Sequence, residues 1–249
     1  MTFWHIHSNY PNLKQTFSSL DAVFKLQGEP LTHDRISEVI RVQHHGTQYY
    51  IKRYYAAGKG LRKWFGRPRI KGEALNLQRF SEWGIPTATV VAWGMETQPF
   101  WKNLSHGRRG AMITLGIPET TDLAILSQTN DARLKDKSWV RNISAQLAKI
   151  TRTMHAQSFT HNDLKWRNLL VDAQNHLYLI DCPSGNFWYG KFLEYRIIKD
   201  IACLDKIAKH HLSRMQRLRF YLNYIQQPSL DSKHKAQVRK IIQFFEGRE

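Results

Sequence analysis

The chain predicts an α+β fold in which a small strand-rich part precedes a larger helical part, with the boundary near Pro118. Three observations predict it. Short β-branched and aromatic runs crowd residues 1–117, and only one stretch there has helical spacing. From Val140 onward apolar residues recur at three and four, the spacing of a buried helical stripe. Strands gathered first and helices later indicate segregated layers, not alternating βαβ units. The expected organisation is one domain over 1–249, divided into 1–117 and 118–249.

Residues 36–43 and 48–54 flank His44-His45-Gly46-Thr47 and read as an antiparallel hairpin. Residues 58–71 form a basic loop punctuated by glycine. A helix is expected over 70–83, with Ala74, Leu77 and Phe80 on one face and Gly84 placed to end it. Residues 86–94, carrying Val90, Val91 and Trp93, and residues 111–115 read as strands. Val140, Ile143, Leu147, Ile150 and Met154 make the helical stripe. A second hairpin pairs 169–171 with 177–180 around Asp172-Ala173-Gln174-Asn175. Everything after Lys199 reads as helix, with a break near Gln227-Pro228.

At 249 residues, 42% hydrophobic and 12% aromatic, the chain has the composition of a globular protein and can bury a sizeable core. No apolar run approaches the roughly 18 residues needed to cross a bilayer. The first residues lack a charged and then apolar leader pattern, so no secretory signal is expected. Cys182 and Cys203 form neither a metal pattern nor a disulfide framework, which fits a reduced, cytosolic protein. The net charge is +17 and the pI about 10.0. Such a field attracts nucleic acid, an anionic membrane or an acidic substrate, and charge alone does not choose among them.

The most informative segment is His161-Asn162-Asp163-Leu164-Lys165-Trp166-Arg167-Asn168, followed thirteen residues later by Asp181. Phosphoryl transfer requires charge neutralisation and in-line placement more than covalent help. One Asp accepts the proton of the attacking hydroxyl, while an Asn and a second Asp hold Mg²⁺. The second hairpin sets Asp163 and Asn168 at the start of one strand and Asp181 just past the end of the next, so the three groups meet at one end. Ordinary turn residues are the alternative reading.

Lys52 lies mid-strand, twenty-one residues before Glu73 on the first turn of the expected helix. Paired with that carboxylate, its ammonium is aimed at nucleotide phosphates. Arg53 is the competing choice; Ile51 and Arg53 share one strand face and Lys52 the other, so burial is expected to distinguish them. Lys165 is placed to reach the γ-phosphate as a point charge. His161 is expected to pack and hydrogen-bond the loop. Asp200, read as early in a helical segment, either accepts backbone N–H groups of the loop or is an ordinary first-turn acid. Lys59, Arg62, Lys63, Trp64, Arg67 and Arg69 belong to a basic run interleaved with aromatics, suited to an anionic membrane or substrate.

Taken in order, Lys52, Glu73, His161-x-Asp163, Asn168 and Asp181 resemble the protein-kinase-like fold. Within it the chain is most similar to the bacterial lipopolysaccharide kinase family, the heptose and Kdo kinases of the inner core. Ile51-Lys52-Arg53-Tyr54, Gly84-Ile85-Pro86-Thr87, Leu179-Ile180-Asp181, and Lys199-Asp200 leading to Arg219-Phe220-Tyr221-Leu222 carry that similarity. The resemblance implies two lobes: a small antiparallel β-rich N-lobe with one key helix, and a larger, mainly helical C-lobe. The chain departs from the common pattern in places. No glycine-rich loop precedes Lys52; Thr32-His33-Asp34-Arg35 stands there, so nucleotide grip is expected from backbone N–H groups or from Arg35. Asn162 replaces the usual Arg, and Asp181-Cys182-Pro183 replaces Asp-Phe-Gly. Only eighteen residues separate Asp181 from Asp200, too few for a peptide-docking platform.

The expected function is therefore ATP- and Mg²⁺-dependent phosphorylation of an inner-core sugar of lipopolysaccharide, with Asp163 as base, Asn168 and Asp181 as metal ligands, Lys52 as phosphate clamp and Glu73 as its orienter. The expected place is the cytoplasmic face of the inner membrane, in peripheral contact with anionic lipid. Two alternatives stay open: a small-molecule phosphotransferase of the aminoglycoside type, and a nucleotide-binding scaffold without catalysis. Nucleic acid is not an expected partner, because it leaves the ordered acidic constellation unexplained. The sequence leaves the oligomeric state open.

Overall fold

The computed structural model describes residues 2–55, 67–96 and 109–247. Two compact units are present: Met1–Ser81 with Ala88–Ile117, and Glu82–Thr87 with Pro118–Glu249.

The first unit is built on an antiparallel sheet of β1 (Thr2–Ile6), β2 (Glu29–His33), β3 (Ser37–His44), β4 (Thr47–Tyr54), β5 (Val90–Glu96) and β6 (Gly110–Leu115), in the order β1-β5-β6-β4-β3-β2. The β3–β4 hairpin closes through His45 and Gly46, at φ 48° and 76°. Two successive positive φ values suit a two-residue turn whose twist matches the strands. Leu13, Phe17, Leu20 and Val23 pack with Ile40, Ile51, Val91 and Ile113 in one core. Leu20 and Val23 come from α1 (Leu20–Lys25), capped by Ser19, whose Oγ accepts from Ala22 N at 3.1 Å. Neither α1, β1 nor β2 is expected from the pattern. One turn and a half is too short to show a period, and both strands are edges, where mixed polarity and Pro30 are tolerated.

The expected helix runs over α2 (Arg69–Glu82) and buries Ala74, Leu77 and Phe80. Gly84, at φ 67°, follows its end. The strand expected from residue 86 starts only at Val90. Residues 85–87 belong instead with the second unit: Leu179 N donates to Pro86 O at 2.9 Å, and Thr87 Oγ1 donates to Leu179 O at 2.6 Å.

In the second unit, β7 (Thr121–Asp122) leads into α3 (Leu123–Gln128), and α4 (Lys137–Ala156), which carries the anticipated stripe, leads into β8 (Phe159–Thr160). Val140, Ile143, Leu147, Ile150 and Met154 are all buried. Each such side chain stabilises by about 1.5–3 kcal/mol relative to exposure. The helix also holds the second hairpin, β9 (Leu169–Val171) with β10 (Leu177–Leu179). Trp139 Nε1 donates to Asn175 Oδ1 at 2.7 Å, Gln146 Nε2 donates to Asn175 O at 2.8 Å, and Leu177 N donates to Gln146 Oε1 at 2.9 Å. The hairpin is therefore clamped at its turn, the end away from the acidic residues.

The C-terminal helices are α5 (Gly190–His211), α6 (Arg214–Ile225) and α7 (Ser232–Ile242). The first starts well before Lys199. Its early turns display exposed Phe192 and Tyr195, so they show no core-facing period from which to read a helix. A second break, before the Ser213–Gln216 capping box, was not expected. Both cysteines are buried thiols outside any disulfide. Among the described residues, no helix is long and apolar enough to cross a membrane.

Candidate active-site groups

In the first unit, Lys52 Nζ donates to Glu73 Oε1 at 2.9 Å. The other carboxylate oxygen accepts from Tyr54 OH at 2.7 Å. The Glu73 side chain is 3% exposed and that of Lys52 19%, so the pair is largely withdrawn from water while its ammonium keeps some access. Two charge-assisted hydrogen bonds offset the burial of the carboxylate. Strand alternation puts Tyr54 on the face of Lys52, a signal in the sequence that points to its role. Glu73 lies in the second turn of α2, not the first, because the helix begins at Arg69, just after Pro68.

Burial does not separate Lys52 from Arg53 as expected, since Arg53 is the more buried, at 6% exposure. Partners separate them instead. Arg53 donates to the carbonyls of Val23 and Leu26 and to Glu38 Oε1, which ties the end of α1 to the sheet. Its guanidinium is fully committed to structure.

The turn before Lys52 departs from the expectation of a backbone N–H grip. Asp34 Oδ1 accepts from Ile36 N at 2.7 Å and Ser37 N at 2.9 Å, and Asp34 N donates to Ser37 O at 2.8 Å. The turn closes on itself, and those three donors are spent. Arg35 stands exposed at its tip. In the basic run, Lys59, Arg62, Lys63 and Trp64 lie outside the described residues; Arg67 is exposed and Arg69 opens α2.

In the second unit, Asp163, Asn168 and Asp181 share one end of the β9–β10 hairpin. Asn168 immediately precedes β9, Asp181 follows β10 by two residues, and Ile180 N donates to Asn168 O at 2.9 Å. Asn168 Nδ2 donates to Asp163 O at 2.9 Å, which leaves its Oδ1 as an acceptor. Asp181 holds φ 59°, a left-handed conformation that Asp tolerates better than most residues. The Asp163 carboxylate is flanked by cations, with Lys165 Nζ 2.5 Å from Oδ1 and Arg167 Nη2 3.2 Å from Oδ2. Arg167 is missed by the sequence reading, although its spacing of four from Asp163 is visible there.

Beneath these groups the loop is fixed by buried contacts. Asp200, fully buried, accepts from His161 N at 2.7 Å and Asn162 N at 2.9 Å. It is no first-turn acid: it sits in the middle of α5, where two loop amides and His155 Nε2, 3.4 Å from its Oδ2, offset its desolvation. Leu164 is fully buried, and Trp166 Nε1 donates to Leu204 O at 3.1 Å. His161 is buried, with its imidazole held below the ordinary value of 6.5 by burial, against the opposing charges of Asp200, Asp181 and Asp163. Its side chain is fully buried under the loop. Asn162, at φ 64°, donates from Nδ2 to Ser184 O at 2.9 Å, and its Oδ1 accepts from Arg196 Nη1 at 3.2 Å. A long charged side chain at position 162 has no such tie to offer.

Oxygen donors of this kind fit Mg²⁺. Asn168 and Asp181 are two such donors, which suits an ion that keeps several phosphate and water ligands; among the described residues no group of three His, Cys, Asp or Glu gathers.

A strand-rich unit with a buried Lys–Glu pair, joined in sequence to a helical unit whose hairpin end gathers Asp, Asn and Asp, defines a phosphotransferase of the two-lobed protein-kinase-like class. The model of the lipopolysaccharide kinase (Kdo/WaaP) family matches residues 23–187, and the chain belongs to that family. It is accordingly a kinase, a transferase of lipopolysaccharide biosynthesis acting on the core. A solved structure described as WaaP in complex with acyl carrier protein is similar in fold, with a TM-score of 0.71 and 21% identity over 98% of this chain and 100% of that one. No curated protein sequence matches the chain.

Proposed function

We propose that this kinase transfers the γ-phosphoryl group of ATP, with Mg²⁺, to a hydroxyl of a heptose or Kdo sugar of the lipopolysaccharide inner core. The observation that carries the reading is the meeting of Asp163, Asn168 and Asp181 at one hairpin end, on a loop locked by Asp200. Asp163 takes the proton of the attacking hydroxyl. Lys165 and Arg167, long and partly exposed, turn from Asp163 to the transferring phosphate. Lys52, oriented by Glu73 and Tyr54, grips the nucleotide phosphates, and Arg35 adds a charge at the open turn. Asn168 and Asp181 hold Mg²⁺, which when bound neutralises phosphate charge.

The site of action in this proposal is the cytoplasmic face of the inner membrane. A net charge of +17 supports it, since the acceptor is an anionic, membrane-anchored glycolipid. Arg67 and Arg69 are candidates for that contact; Arg217 is not, because both its Nε and Nη2 bind Asp205 at 2.6 Å. A carrier-protein partner is a further part of the proposal, taken from the solved relative. It is supported by a cavity of about 610 Å³ in the helical unit, lined by Ile143, Leu147, Ile201, Leu204 and Phe220, apolar enough for an acyl chain. Co-elution with acylated but not unacylated carrier protein is the expected result.

Mass analysis of lipopolysaccharide from a strain lacking the protein tests the main reading. One core phosphate is expected to disappear, and to return with the wild-type chain but not with Asp163→Asn. An unchanged core would refute it.

A further inference from the structure

Within nine residues of the helical unit four large aromatic side chains reach solvent: Phe187 at 36% exposure, Tyr189 at 75%, Phe192 at 71% and Tyr195 at 47%. Phe187 also packs edge-on against buried Phe159, and Tyr195 against Phe244; Tyr189 and Phe192 are the most exposed of the four, and clustered exposed apolar surface marks a binding face. Their segment is fastened at both ends to the loop that carries Asp163. At one end β11 (Asn186–Phe187) pairs with β8 (Phe159–Thr160), and Trp188 N donates to Ser158 O at 2.9 Å. At the other, Arg196 donates to Asn162 Oδ1 at 3.2 Å, and Lys199 Nζ reaches Asn162 O at 3.4 Å. The Arg196 guanidinium also lies 4.6 Å from the Trp188 ring centroid. The aromatic strap is thus held in register with the residue next to the base.

Its charge is mostly basic, with Lys191, Arg196 and Lys199 set against one exposed acid, Glu194. The first turn of α5 carries Lys191 and no acid, and Tyr189 at its N-cap makes no side-chain cap hydrogen bond. Basic groups beside aromatic faces suit a ligand that is apolar on one side and anionic on another. A pyranose bearing a carboxylate or phosphate is such a ligand. Its C–H face stacks on an electron-rich ring, and its acid group pairs with a guanidinium or ammonium.

We propose that Tyr189, Phe192 and Tyr195, with Lys191 and Arg196, form the acceptor subsite, stacking on an inner-core sugar next to the one phosphorylated and pairing with its acid group. This rests on the reading of the protein as a lipopolysaccharide core kinase. It also assigns a task to the short segment between Asp181 and Asp200, which holds an oligosaccharide instead of a peptide. A membrane contact requires only exposure. The hydrogen bonds to Asn162 set the strap at a fixed place relative to Asp163, which is what an acceptor subsite requires.

The test uses the full chain, the Tyr189→Ala/Phe192→Ala variant and delipidated inner-core oligosaccharide as probe. Both replaced side chains are largely exposed, so folding is not at stake. Calorimetric Kd and the KM for oligosaccharide are expected to rise about tenfold or more, with kcat at saturation changed less than about twofold. An unchanged Kd overturns the proposal, as does an oligosaccharide that fails to bind the wild type. So does a variant that loses sedimentation with anionic vesicles but keeps its oligosaccharide affinity, which would make the strap a membrane contact. Should the wild type bind the probe and transfer no phosphate, the kinase reading fails while the Kd comparison still judges the subsite.

Discussion

The two units treat their key carboxylates in opposite ways. Glu73 is buried, and its oxygens are taken by Lys52 and Tyr54, both on β4. Asp163 has a 30% exposed side chain, and its partners Lys165 and Arg167 are 44% and 60% exposed. Glu73 is held for a structural purpose, to fix an ammonium. Asp163 is held less tightly, by partners that solvent reaches. Rigidity at the loop comes from below, through buried Asp200 and the main chain. Under the proposed function, the difference between the carboxylates is one between orienting a charge and performing a transfer.

Substitutions that cross this division break or sharpen it. The largest effect is expected at Asp200. Replacement by Ala removes a charged acceptor from one buried and one part-buried amide, costing about 2–4 kcal/mol by denaturant unfolding, with kcat falling on the order of a hundredfold. Stability lost without activity would mean that Asp200 holds the helix and not the loop. Next is Lys52→Met. It leaves Glu73 with Tyr54 as its principal donor, so stability should fall by about 1–2 kcal/mol, discounted for the access Lys52 keeps to water, and kcat/KM for ATP by roughly tenfold to a hundredfold. An unaltered KM for ATP with lowered kcat would place its action on the transition state alone.

The pH dependence is smaller. Burial holds His161 below 6.5, so the unfolded chain takes up a proton that the folded chain refuses as pH falls through that value. The contribution of His161 is complete above about 6.5 and declines below it, by at most about 1.4 kcal/mol per pH unit. Thermal unfolding from pH 7 to pH 5 should show this slope, and His161→Asn should flatten it. The smallest effect belongs to Arg167→Ala, whose exposed ion pair is worth less than about 0.5 kcal/mol in stability. A larger loss would show that the Asp163 cluster is structural, and would erase the contrast with Glu73.

Legibility in the sequence followed the same division. The hairpin end carrying Asp163, Asn168 and Asp181 could be read because strand alternation and a short turn fix it locally. Lys52 and Glu73 could be paired because a strand and the next helix are separated by little chain. Asp200 was misplaced within its helix because the turns before it face solvent and have no period. The partners of Arg53 were hidden because α1 is too short to announce itself, and the closure of the 34–37 turn depends on one Asp rotamer. Tyr54 and Arg167 had visible spacing but no chemistry of their own to mark them out.

The carboxylate of Asp163 is the group on which the proposed transfer most directly depends. Transfer of label from γ-³²P ATP to purified core lipopolysaccharide should be measured for the wild type and for Asp163→Asn, which keeps shape and removes the base. The expected result is Mg²⁺-dependent incorporation by the wild type and a kcat lowered on the order of a thousandfold in the variant, with the KM for ATP nearly unchanged. Undiminished incorporation by Asp163→Asn would contradict the central claim.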